Sequence, residues 1–144
     1  MRAKERWSAM EYSIDERGIQ LMKVEYDAFV EDGPEEPGLD VTGHVEILAE
    51  EDDLRHVVWD LLLDARPLMR MRAVYMSVVY AEGDGSPDLG ELIEETCYPV
   101  LGEFSQLVGT LSRSITGTPL ILNQEQLMYL AWGIVDDEED EEPF

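Results

Sequence analysis

Only one cysteine, Cys97, occurs in the 144 residues, so no intrachain disulfide can form and the core must hold without a covalent cross-link. Histidine is almost as scarce, with His44 and His56 the only two in the chain. Neither stands in a metal-ligand spacing with Cys97, and neither has the neighbouring nucleophile and base that covalent catalysis needs. No metal, cofactor or enzymatic activity is therefore expected. Gly83-Asp84-Gly85 is not followed by the Gly-Lys pair of a phosphate-cradling loop. No apolar run approaches the length of a membrane span, and no apolar leader opens the chain, which leads to the expectation of a cytoplasmic protein. Basic residues are few as well: 10 against 33 acidic ones give a formal charge of −23. Such a surface repels phosphate backbones and anionic membranes, which makes nucleic acid a poor partner and a basic protein surface a natural one. Lys4 and Lys23 are the only lysines. The Arg bias and acid excess together fit a protein adapted to concentrated salt.

The length is that of one domain able to bury a real core. Residues 1–18 carry Arg2, Lys4, Arg6 and Arg17 beside Trp7 and Met10, and read as an arm or short helix. Residues 19–135 form the domain proper. From Ile19 to Val30, apolar Met22, Val24, Tyr26, Ala28 and Val30 alternate with Lys23, Glu25 and Asp27, the signature of a half-buried strand. Asp32 to Gly38 is a loop by its Gly and Pro content. Leu39 to Ala49 alternates again. Val57, Trp59, Leu61, Leu63 and Ala65 set the inner face of a third strand, and Met69 to Tyr80, apolar on both faces beyond Arg72, reads as a central fourth. Short turns between them favour an antiparallel sheet.

Ser86-Pro87 suits a helix start, with Asp88 in its first turn. Pro99 predicts a break at Cys97-Tyr98 and a second helix beyond it. Val100, Phe104, Leu107, Val108 and Leu111 form that helix's apolar face, while Gly102, Ser105, Gly109 and Ser112 form a small-residue stripe that another backbone can approach closely. The stripe has two readings, an oligomer interface or a surface facing solvent or an ordinary loop. Gly117 and Pro119 end the helix, and Leu120-Ile121-Leu122 leaves extended. Asn123 with Gln126 predicts a final helix to about Ile134, and residues 136–144 read as a disordered acidic tail. The fold class expected is α+β: a four-stranded antiparallel sheet packed on a broken long helix and a C-terminal helix.

This order of elements resembles the SecB protein-export chaperone family. Ile19-Gln20, Cys97-Tyr98-Pro99 and Leu111-Ser-Arg-Ser-Ile-Thr-Gly-Thr-Pro-Leu-Ile-Leu122 are similar to that family's Ile-Gln, Cys-Pro and Val-Ser-Arg-Gly-x-x-Pro-x-Leu-x-Leu signatures. The resemblance runs from about residue 19 to 132. Tyr98 stands between the family's Cys and Pro, and the Ala-Pro before its last helix has no counterpart here. The resemblance implies a homotetramer, a dimer of dimers with long helices between outer sheets, that holds non-native polypeptides in apolar grooves without ATP. It further implies delivery to a SecA-type translocase motor or control of a toxin–antitoxin pair. Client-contact candidates are Trp59, Tyr75, Val78, Tyr98, Phe104, Leu120, Ile121 and Leu122; for Trp59, Tyr75 and Phe104 an ordinary core role competes. Glu25 and Asp27, with Glu31 just beyond, are the candidates for meeting a basic partner. An adaptor or assembly protein that keeps the same fold is the rival reading of function.

Overall fold

The structure of the chain, a computed structural model, describes residues 10–29, 38–83, 88–122, 127, 130 and 132–135. Six strands and one long helix account for most of them. β1 (Met10–Ile14), β2 (Gln20–Ala28), β3 (Asp40–Glu51), β4 (Leu54–Ala65) and β5 (Met69–Gly83) precede α1 (Leu89–Thr116), and β6 (Trp132–Val135) follows it. The sheet has six strands rather than the four expected. Its order is β1-β5-β4-β3-β6, and β2 pairs with the same edge of β5 as β1, farther along the strand. Every pairing is antiparallel except β3 with β6.

The two extra strands correct two sequence expectations. Met10–Ile14, read as part of an arm or short helix, pairs Met10 with Gly83 and Ile14 with Val79, because Tyr12 and Ile14 alternate inward onto the core. Residues 132–135, read as the end of a helix, pair with Gly43–Glu46 of β3. The β-branched pair Ile134-Val135 after Gly133 suits a strand better than a helix. The loop from Asp32 and the acidic tail lie outside the described residues.

Period-two burial fixes the faces of the sheet. On β5, Met69, Met71, Ala73, Tyr75, Ser77, Val79 and Ala81 are buried, as are Val57, Trp59, Leu61, Leu63 and Ala65 on β4. These residues oppose one another in register and form one core with α1. The alternate residues Val74, Met76, Val78 and Tyr80 are only half-buried on the outer face. β5 is thus central, as expected, yet its outer side has no covering element among the described residues. Trp59 is fully buried at the middle of the sheet, and its indole N–H donates to Ser77 Oγ across 2.7 Å.

The helix is one continuous rod of 28 residues, not two. Asp88, rather than Ser86, caps it, its carboxylate accepting from the N–H groups of Gly90 and Glu91. Pro99 removes one backbone hydrogen bond and in general costs about 3 kcal/mol inside a helix. Here Ile93, Thr96, Cys97, Val100, Leu101 and Phe104 are buried on both sides of it, and their burial holds the rod together against that cost. Gly117 ends the helix in the left-handed region at φ 87°, its N–H donating to the Arg113 carbonyl.

Replacing Ser77 by Ala should leave the buried indole N–H of Trp59 without an acceptor and lower the unfolding free energy by about 1–3 kcal/mol in urea titration. An unchanged midpoint would mean that this hydrogen bond does not secure the sheet.

Candidate functional site

The surface near the N-terminal half of α1 holds a partly apolar recess. Gly90, Ile93, Glu94, Cys97 and Tyr98 of the helix face Leu127, Leu130 and Trp132 across a cleft of ≈ 370 Å³. Each side follows from local sequence: Gly90, Ile93, Glu94, Cys97 and Tyr98 recur at helical steps, and the chain beyond Leu122 returns to place Trp132 beside β3. The Trp132 ring meets Trp59 edge-on, with centroids 5.4 Å apart and planes at 75°. Gly43 makes that approach possible, since a Cβ there would sit 2.6 Å from the Trp132 ring.

Cys97 is buried, its Sγ 4.0 Å from the Glu94 carbonyl, and burial, reinforced by the Glu94 charge, pushes its thiol up to about 11. That is the reverse of a reactive thiolate. Among the described residues, no group of three or more His, Cys, Asp or Glu side chains could hold a metal ion. The cleft thus presents apolar and aromatic side chains with the Glu94 carboxylate beside them.

The candidates from sequence divide sharply. Trp59, Tyr75, Phe104 and Leu122 lie in the core, which removes them from the surface of the single chain and makes the core reading of the first three the right one there. Desolvation and the nearby Glu103 raise the Tyr75 hydroxyl far above its ordinary value. Val78 is half-buried on the outer sheet face opposite His56, and Leu120 is half-buried beside α1. Tyr98 and Ile121 are open, at 49% and 81% exposure. Ile93, Leu127, Leu130 and Trp132 were missed; Leu127 and Leu130 share the three-residue spacing that signals one face, but Trp132 carried no such mark.

The small-residue stripe is half used by the chain itself. Ser112 is buried, donating to the Gly109 carbonyl and accepting from the Leu120 N–H at 2.6 Å. A Cβ on Gly109 would meet the Leu120 carbonyl at 3.9 Å. The stripe's C-terminal half thus faces the chain's own extended exit. Ser105 Oγ is buried with no hydrogen-bond partner among the described residues, whereas nothing lies within 4 Å of where a Cβ on Gly102 would be.

β2 departs most from expectation. A register shift between Leu21 and Lys23 turns Leu21, Val24, Tyr26 and Ala28 toward the helix side, opposite Tyr75, Ala73, Met71 and Met69. Yet α1 does not reach them: Leu21 is 45% exposed and Tyr26 50%, and Met22 at the bulge is exposed too. The expected inner face of this strand is therefore open. Glu25 and Asp27 lie on the outer face as expected, and Glu31 lies outside the described residues. Glu25 is not a free acid, standing 3.6 Å from both Lys23 and Arg72, while Arg72 also forms a two-pronged pair with Asp60. Asp60 chiefly, and Glu25 after it, hold the Arg72 guanidinium more firmly protonated than usual.

A curled six-stranded sheet with one long helix across it is an arrangement already seen in solved structures. The fold is SecB-like. The SecB-like chaperone Rv1957 of Mycobacterium tuberculosis, solved in complex with a ChAD peptide from the HigA1 antitoxin Rv1956, superposes with a TM-score of 0.54 at 15% identity, over 83% of this chain and 90% of that one. A protein of unknown function from Streptococcus agalactiae does so equally, with a TM-score of 0.54 at 17% identity, over 80% of this chain and 98% of that one. No protein-family signature and no curated protein matches the sequence. At these identities the likeness speaks for the SecB-like fold alone. No helix among the described residues is long and apolar enough to cross a membrane.

The Cys97 environment has a direct chemical consequence. Alkylation by iodoacetamide at pH 8 should be on the order of 100-fold slower in the native protein than in the urea-unfolded chain, whose thiol titrates near about 8.5. Because the unfolded thiol releases its proton first, this site's contribution to stability should fall as pH rises from there toward about 11. Equal alkylation rates would place Cys97 at the surface.

Proposed function

We propose that this protein is an ATP-independent chaperone of the holdase type that binds non-native polypeptides on exposed apolar surface. The observation that carries the reading is the SecB-like sheet-and-helix fold combined with large apolar side chains left open beside the helix and on β2: Tyr98, Ile121, Leu21 and Tyr26. A holdase needs such surface together with enough charge to stay dispersed when loaded, and the charge of −23 supplies the second requirement. Clients are proposed to run along the cleft of Ile93, Tyr98, Leu127 and Leu130 and over Ile121. The antitoxin peptide on the Mycobacterium tuberculosis neighbour favours toxin–antitoxin control over export as the cellular use, with the cytoplasm as the site of action.

Assembly belongs to the same proposal. The uncovered helix side of β2 and the open helix surface at Gly102 are the surfaces on which a second copy and then a second dimer would pack, giving a homotetramer. Asp27, exposed on the outer face, and Glu25, shared with Arg72, offer a basic partner such as a translocase motor a modest, salt-screened contact.

An equimolar amount of the protein, without nucleotide, should suppress aggregation of an unrelated chemically unfolded enzyme, measured by light scattering, and Ile121→Asp with Tyr98→Asp should reduce that suppression severalfold. No suppression at several-fold excess would favour a dedicated adaptor instead. Assembly has a separate test. A Cβ at Gly102 has no described neighbour within 4 Å and Leu is a better helix former, so Gly102→Leu should raise monomer stability by up to about 1 kcal/mol while splitting the oligomer in light-scattering mass measurements. An oligomer of unchanged mass would place the interface elsewhere.

A further inference from the structure

β3 is twelve residues long, but β6 pairs with only Gly43 to Glu46 of it, in parallel. Parallel pairing is the slightly weaker kind, and four residues at a sheet edge form a short ladder. The fit of side chain to backbone is nevertheless close. A Cβ on Gly43 would stand 2.6 and 2.7 Å from two carbons of the Trp132 ring, and one on Gly133 would stand 2.6 Å from the His44 ring. Glycine at 43 thus forms the floor of a slot for a flat ring, Trp59 forms its back at 5.4 Å, and Ile93, Cys97, Leu127 and Leu130 line the cleft beside it. Trp132 fills the slot while remaining half-buried, with the cleft open next to it.

Among the described contacts, two features hold β6 in place: its backbone ladder to β3 and the aromatic ring of Trp132. Any extended segment with an aromatic residue carries both, which is the basis of recognition by strand addition. We propose that β6 is a displaceable internal occupant: Trp132–Val135 closes the β3 edge and the Gly43–Trp59 slot until an extended segment with an aromatic side chain takes its place. This rests on the chaperone reading above and adds to it a built-in competitor. Because the competitor is tethered, its effective concentration is high, and incoming segments bind weakly unless they bring several apolar contacts at once. The selectivity is then for long unfolded stretches over isolated aromatic residues at the surface of a folded protein.

A disulfide lock tests this. His44 and Gly133 are register partners, and a Cβ on Gly133 would lie 3.5 Å from His44 Cγ, within reach of a disulfide between His44→Cys and Gly133→Cys, made with Cys97→Ser. The probe is a fluorescein-labelled extended peptide of alternating Thr and Val with one central Trp, read by anisotropy. The oxidised lock should weaken peptide binding at least about tenfold, reduction should restore it, and Trp132→Ala should tighten it about threefold or more by removing the competitor. Hydrogen exchange without peptide should show the β6 amides opening far more readily than those of β4 and β5. Binding indifferent to the lock, or β6 amides as protected as those of β4, would overturn the proposal while leaving the chaperone reading intact. Absence of peptide binding in the reduced and the unmodified protein, together with no aggregation suppression, would instead bring down the chaperone reading and this proposal with it. Dimerisation that the lock abolishes would assign the slot to β6 of a second copy and likewise overturn it.

Discussion

Among the described residues, one long helix covers one face of a sheet five strand positions wide. A helix with its side chains is about 10 Å across, whereas five strands at about 4.8 Å spacing span roughly 19 Å, so a single rod cannot shield the whole apolar face. α1 approaches β1 and β5 most closely, and the core between helix and sheet seals Trp59, Leu61, Met71 and Phe104 from water. The margins are finished differently. On the β3 side, Trp132 and the extended exit through Leu122 fill the space; on the β2 side nothing among the described residues does, and Leu21 and Tyr26 stay open. The surfaces proposed for assembly and binding follow from that shortfall.

The helix continues through Pro99 for the same reason. A break at Cys97-Tyr98 would redirect the second half of α1 and pull Val100, Phe104 and Val108 out of the core, losing burial of about 1.5–3 kcal/mol for each large side chain against about 3 kcal/mol for the proline. Local propensity lost to tertiary packing. Farther along, Ser112 fastens the exit by accepting the Leu120 N–H, so the C-terminal half of the stripe that looks available for a neighbouring helix is spent on the chain's own return.

Strand identity and parity were legible because the inner residues of β4 and β5 alternate over more than ten positions, and Trp59, Leu61 and Leu63 could hardly face any other way. β1 was hidden because five residues give too few periods to separate strand from helix, and β6 because the alternation of four residues is shorter still and its partner lies far back in the chain. The site was less legible than the fold for a related reason. Aromatic residues mark a core and a binding surface equally well, and only the three-dimensional count of neighbours separates the sealed Trp59 from the open Tyr98. Gly43 showed nothing in sequence, since its meaning depends on a ring that arrives 89 residues later, at Trp132.

Charge separates the two kinds of open surface. The outer sheet face carries its acids partly neutralised, with Glu25, Asp60 and Arg72 in one cluster, so its pull on a basic partner is smaller than the net charge alone implies. Among the described residues, the cleft near α1 has Glu94 as its single charged lining residue beside largely apolar and aromatic side chains. Long-range repulsion from a charge of −23 therefore keeps particles apart, while the cleft offers a largely apolar surface at short range; at physiological salt the Debye length of about 8 Å lets these two act at different distances without opposing each other. On the holdase reading proposed above, assembled particles of this charge would repel one another in bulk and still close over an uncharged segment at contact, because the two forces act over different ranges.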